Sequence, residues 1–118
     1  MTAADSFDNW TTQVRKGMLE YCVLTALAGR ERYGYELVKA MVEVPGLGIS
    51  EGTLYPILSR LRVQGMVSAR LVESSEGPAR KYHTLTPEGM ALLGMMQKYW
   101  EALNHGTRVL EKKGLEPG

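Results

Sequence analysis

Apolar residues recur at helical spacing through the first quarter of the chain. Leu19, Cys22, Val23, Ala26 and Leu27 fall at i, i+3, i+4, i+7 and i+8, one stripe of a helix predicted from about Asn9 to Ala28. Trp10, Val14, Met18 and Tyr21 form a second stripe on a neighbouring face, more apolar surface than one packing partner covers. Gly29 stands where a C-cap glycine would end this helix, and Arg30 to Tyr33 reads as a short charged connection. A second helix fits residues 34–44, with Leu37, Val38, Met41 and Val42 inward and Glu36, Lys39 and Glu43 outward. Pro45-Gly46-Leu47-Gly48 closes it by turn chemistry.

A third helix runs to about Gln64, with Leu54, Ile57, Leu58 and Leu61 inward and Thr53, Tyr55, Ser59, Arg60 and Arg62 nearer the outside. Ser50 is an available N-cap, but Pro56 would then fall in the interior and remove a hydrogen bond. A start at Thr53 puts Pro56 in the first turn, where no backbone donor is needed; this later start, or a tight first turn leading into it, is the preferred reading. After Gly65 the period changes from 3.6 to 2. Val67, Ala69 and Leu71 alternate with polar positions, Ser74-Ser75-Glu76-Gly77-Pro78 is a turn, and residues 79–85 return as a second strand. Thr86-Pro87-Glu88 opens the last helix, which runs to about Lys113. Leu92, Met96, Tyr99, Leu103 and Leu110 step by fours and threes with Gly106 at the missing position, close to a heptad seam. Asn104-His105-Gly106 is a place for a bend or break, and Gly114 to Gly118 reads as a frayed tail.

The expected fold is therefore mainly α with a small β-hairpin: a winged helix-turn-helix over residues 1–86 and a long C-terminal helix over 87–118, in one compact unit. A length of 118 residues and 44% hydrophobic content fit one domain with its own core. The net charge of +1 excludes a polycation but leaves room for a basic face, because charges segregate within a neutral total. One cysteine and two distant histidines offer no metal-ligand spacing and no disulfide. The N-terminus lacks a signal pattern and no apolar stretch is long enough to span a membrane, so a cytoplasmic setting is expected. No catalytic constellation, cofactor motif or metal site is visible. The glycines of residues 46–52 match neither common phosphate-loop spacing.

Three helices followed by a hairpin suit DNA, since the third helix enters a major groove while the wing reaches the neighbouring backbone. In addition, five ordered blocks resemble the PadR family of bacterial transcriptional regulators. They are Gly17-Met18-Leu19-Glu20 through Leu24 with Ala26-Leu27, Tyr33 to Leu37, Gly52 to Leu61, Gly65-Met66-Val67, and Arg80 to Gly89. The resemblance implies a homodimer interlocked through the first and last helices, binding an operator through the third helix and wing. The single terminal helix is similar to the compact branch of that family. At the wing, Gly77-Pro78-Ala79-Arg80-Lys81 lacks one basic residue of the family's usual Gly-Arg-Pro-Arg-Lys run.

Arg80 and Lys81 are placed to neutralise phosphates. Tyr55 and Ser59 are placed to donate to phosphate oxygens, and Arg60 to reach phosphate or guanine. Ser50 and Thr53 read as caps, a role compatible with a DNA contact, and Tyr35 resembles a family position near the DNA backbone, with packing as the equal alternative. Arg15 and Lys16 read as solvated helix surface, Tyr82 as a sheet residue, His83 as exposed, and Cys22 as an inert small hydrophobe. Neither histidine is assigned a pH-switch role. The expected dimer surface is Trp10, Val14, Met18, Leu92, Met96, Tyr99, Leu103 and Leu110. Trp10, Val14, Met96, Tyr99 and Trp100 form a candidate site for a small hydrophobic or aromatic effector, with Trp100 as the stacking anchor. The expected function is a dimeric repressor of a palindromic operator, released by such an effector. The alternative is a winged-helix module that binds protein instead of DNA.

Overall fold

Thr2 starts the first helix six residues before the apolar pattern does. In the computed structural model, which describes residues 1–117, α1 spans Ala3–Leu27. The Thr2 hydroxyl accepts from the Asp5 amide at 3.2 Å while the Asp5 carboxylate accepts from the Thr2 amide at 3.0 Å, a reciprocal cap. The first half of α1 is exposed, and its Phe7 and Trp10 rings lie 6.2 Å apart. At its other end Ala28 caps in a right-handed conformation, and Gly29 is not the left-handed residue expected.

The connection after α1 contains a strand. β1 (Arg32–Tyr33) pairs antiparallel with β3 (Gly77–Leu85), which pairs with β2 (Val67–Ser74), so the sheet has three strands in the order β1-β3-β2 rather than a lone hairpin. α2 (Gly34–Met41) is shorter than predicted. Val42 is its cap and is exposed, not inward. Gly46 and Gly48 have φ of 79° and 65°, and between them the chain folds Leu47 into the core.

α3 (Glu51–Val63) starts at the earlier of the two possible positions: the Ser50 hydroxyl accepts from the Thr53 amide at 3.3 Å. Pro56 therefore sits inside the helix, and the carbonyl it leaves without a donor belongs to the exposed Gly52. Leu54, Ile57, Leu58 and Leu61 face inward as the pattern requires. They meet Val23, Leu24 and Leu27 of α1, Leu37 and Met41 of α2, Leu47 and Val67 in one core.

The hairpin turn is tighter than expected, with Ser74 opposite Gly77 and only Ser75-Glu76 between them. The strands overhang the helices and the register shifts between Val72 and Ser74, so Leu71 is exposed despite the alternation. α4 (Pro87–Gly114), capped by the Thr86 hydroxyl, continues unbroken through Asn104-His105-Gly106. Gly114 is helical, not part of a frayed tail, and Gly118 lies outside the described residues. α4 joins the core through Leu93, with Leu92 and Met96 partly buried beside it. Beyond them Tyr99, Leu103 and Leu110 are exposed, and the molecule extends 66 Å along its longest axis.

Candidate nucleic-acid interface

The outward face of α3 and the wing strand β3 enclose a cleft of about 400 Å³. Tyr55, Ser59 and Arg62 line it from α3, Arg80, Lys81 and His83 from β3, and Tyr33 and Gly34 from the β1–α2 junction. The absence of a side chain at Gly34 makes room for the Tyr55 ring, since a Cβ there would stand 2.8 Å from the ring carbon bearing the hydroxyl. Four of the predicted contacts, Tyr55, Ser59, Arg80 and Lys81, thus converge.

The others do not line this cleft. Ser50 caps α3 and its hydroxyl lies 3.0 Å from that of Thr53, so both sit at the helix start. Tyr35 is exposed at the start of α2, with the Lys39 ammonium 5.7 Å from its ring centre. Arg60 faces α1, where its guanidinium is 3.5 Å from the Glu20 carboxylate. Arg62, rather than Arg60, shares the cleft with Tyr55 and Ser59. The signal was available: positions 55, 59 and 62 are i, i+4 and i+7, one helical face, whereas residue 60 lies well off it.

Charge pairing sharpens the assignment. Arg30 bonds to Glu36 at 2.8 Å, Arg32 donates to the Ala26 carbonyl at 2.7 Å, and Arg70 makes a two-pronged pair with Glu31. The Glu31 carboxyl is held below its ordinary range by those bonds from Arg70. This pair also ties β2 to the loop after α1. Among the described residues Arg62, Arg80 and Lys81 form no carboxylate pair, and all three line the cleft. Arg80 lies over the Tyr33 ring at 4.5 Å, and Tyr33 meets Tyr82 edge-on at 5.4 Å, which fixes the guanidinium at the wing. His83 is not exposed as expected. It is buried on the central strand of the sheet, and no partner satisfies its Nδ1.

A second concavity, about 630 Å³ and almost wholly apolar, runs between α1 and α4. Val14, Met96, Tyr99 and Trp100 of the proposed effector set line it, joined by Gly17, Met18, Tyr21, Met95 and Leu103. Trp10 is not part of this lining; it lies one turn before Val14 and is exposed. Cys22 is half-buried, and desolvation pushes its thiol up, away from the reactive thiolate. No cluster of metal-ligating side chains occurs among the described residues, and none of their helices is long and apolar enough to cross a membrane.

Three helices, a small sheet with an extended hairpin and a basic cleft between them define a winged helix. The sequence profile of the transcriptional regulator PadR-like family matches residues 23–95, and the chain belongs to that family. A PadR family transcriptional regulator from Eggerthella lenta is 32% identical, with 91% of this chain and 93% of that one covered and a TM-score of 0.79. A PadR-like transcriptional regulator from Bacillus cereus is 34% identical, over 83% of this chain and 95% of its own, with a TM-score of 0.75. Bacillus subtilis PadR, solved in complex with operator DNA, is 27% identical, with 67% of this chain and 46% of that one covered and a TM-score of 0.60.

Proposed function

We propose that the chain is a dimeric repressor that grips a palindromic operator with α3 and the wing of each subunit. The observation that carries this reading is the cleft in which three cations without carboxylate partners stand beside Tyr55 and Ser59. Such a set neutralises phosphates and releases their counterions, while the exposed face of α3 reads bases. Ser50, Thr53 and Tyr35 stay in this reading as flanking backbone contacts.

Arg62→Ala and Lys81→Ala test it by anisotropy titration with the duplex upstream of the gene. Each is expected to weaken binding about tenfold and to flatten the salt dependence by about one unit of slope. Arg60→Ala, whose side chain already has Glu20, should change affinity less than about twofold. Equal, full affinity in the Arg62 and Lys81 variants would remove the cleft from the interface.

In this reading a small effector binds in the α1–α4 groove. Its lining holds no charged side chain, so it suits a neutral apolar or aromatic molecule of a few hundred Å³. A ligand there acts on DNA only if it favours one arrangement of α1 and α4 over another. Trp10→Phe leaves Trp100 as the one tryptophan. In that variant, aromatic effectors are expected to quench emission and release the operator together. Unchanged emission and affinity across a panel of phenolic acids and planar drugs would make Trp100 a packing residue.

A further inference from the structure

One polar atom in the cleft is unaccounted for by this reading. His83 is 4% exposed, lines the cleft, and its Nδ1 is buried without a hydrogen-bond partner. Unsatisfied buried polar atoms are uncommon, and this one belongs to a side chain that lines a basic cleft. Charged groups approach it from two elements: Arg62 from α3 and Lys81 from its own strand. From β1 its cross-strand neighbour is Arg32, whose side chain is drawn to the Ala26 carbonyl, and from β2 it is the apolar Ala69. Tyr33, Tyr55 and Arg80 complete the titratable lining, which contains no carboxylate.

In the free protein, burial holds the imidazole below its ordinary range, and Lys81 and Arg62 add to that; the Arg32 backbone hydrogen bond opposes them. These effects together favour the neutral ring in the free protein. An anion in the cleft reverses the balance, because its charge offsets Arg62 and Lys81 and favours the protonated ring. We propose that His83 is a proton-coupled anion contact: as a phosphate group of bound DNA enters the cleft, Nδ1 takes a proton from solvent and the imidazolium strengthens the grip. The proposal rests on the operator-binding reading above. Its sign follows from linkage. The complex carries one proton more than the free protein between the free and bound pKa values, so affinity rises as pH falls through that window.

The test is an anisotropy titration of the upstream duplex at constant ionic strength between about pH 6 and pH 8. Affinity changes tenfold for each unit by which DNA raises the His83 pKa, so at least about a threefold weakening toward the alkaline end is expected. His105→Gln, on the exposed outer part of α4, should keep that dependence, and His83→Gln should lose it. NMR titration of the His83 ring in the wild-type protein gives a readout independent of the variant's folding, with the midpoint expected to move up when the duplex is bound. Binding that is tight but equal across pH, or an unmoved midpoint, overturns the proton coupling alone. No binding at any pH overturns both the coupling and the operator reading.

Discussion

Gly89→Ala is expected to cost the folded state about 3 kcal/mol or more, although alanine in a helix normally stabilises by about 1 kcal/mol over glycine. The reversal comes from the joint between α4 and the α3–β2 turn. The Thr86 amide donates to the Met66 carbonyl at 3.1 Å, and the Thr86 hydroxyl donates to the Gly65 carbonyl at 2.6 Å. Gly89 then donates its amide back to the Thr86 hydroxyl at 3.0 Å. That cap brings α4 so close that a Cβ on Gly89 would overlap the Met66 carbonyl oxygen and stand 3.3 Å from the Leu85 side chain. The two nearest obstructing atoms are the Met66 backbone carbonyl and cannot swing aside. A fall in Tm of about 10 °C or more should follow. Gly94→Ala on the same helix meets nothing within 4 Å and should be neutral or mildly stabilising. Equal stability of wild type and Gly89→Ala would mean that α4 does not dock on this turn.

Leu103→Glu is expected to dissociate the proposed dimer and lower operator affinity by about a hundredfold or more, because each half-site then binds without its tethered neighbour. The outer half of α4 supports this expectation. Tyr99, Leu103 and Leu110 are exposed, as are Trp10 and Val14 on α1, and these are the positions of the heptad-like seam and the second stripe. A glutamate forced into such a seam carries an unpaired charge out of water, at a cost of several kcal/mol. Leu110→Glu lies outside the effector groove and should have the same effect on assembly, which separates the two roles of this helix. Light scattering that found dimers of both variants would place the interface elsewhere.

The parts of this molecule that are legible in sequence are those whose burial repeats with a period. Leu54, Ile57, Leu58 and Leu61 face the core as their spacing requires, and Thr86-Pro87 opens α4 where expected. Several departures from the expected pattern share a cause, which is that the deciding partner lies far along the chain. Arg32 and Tyr33 have no period to read and become a strand only because His83 and Tyr82 arrive beside them. His83 is buried on a central strand that earlier helices and β1 pack against, and Leu71 is exposed because the hairpin outruns the helices. The start of α1 departs from the apolar pattern for a local reason: the Thr2–Asp5 cap signals a helix through polar residues that carry no apolar period. At the cleft, Tyr55, Ser59, Arg80 and Lys81 were accessible from the motif, and Arg62 from its spacing to Tyr55 and Ser59. That Arg60 is taken by Glu20 depends on the packing of α1 against α3, which no local pattern encodes.

The central claim is that α3 and the wing bind DNA by both charge and sequence. Its most direct measurement is the affinity of the wild-type protein for the duplex upstream of its own gene and for a scrambled duplex, each across a range of salt. Specific binding is expected to exceed binding to the scrambled duplex by about a thousandfold or more. It should also fall steeply with salt, by nearly one unit of log–log slope for each phosphate neutralised. Weak binding that ignores both sequence and salt would contradict the account, and the cleft would then belong to a surface that recognises protein.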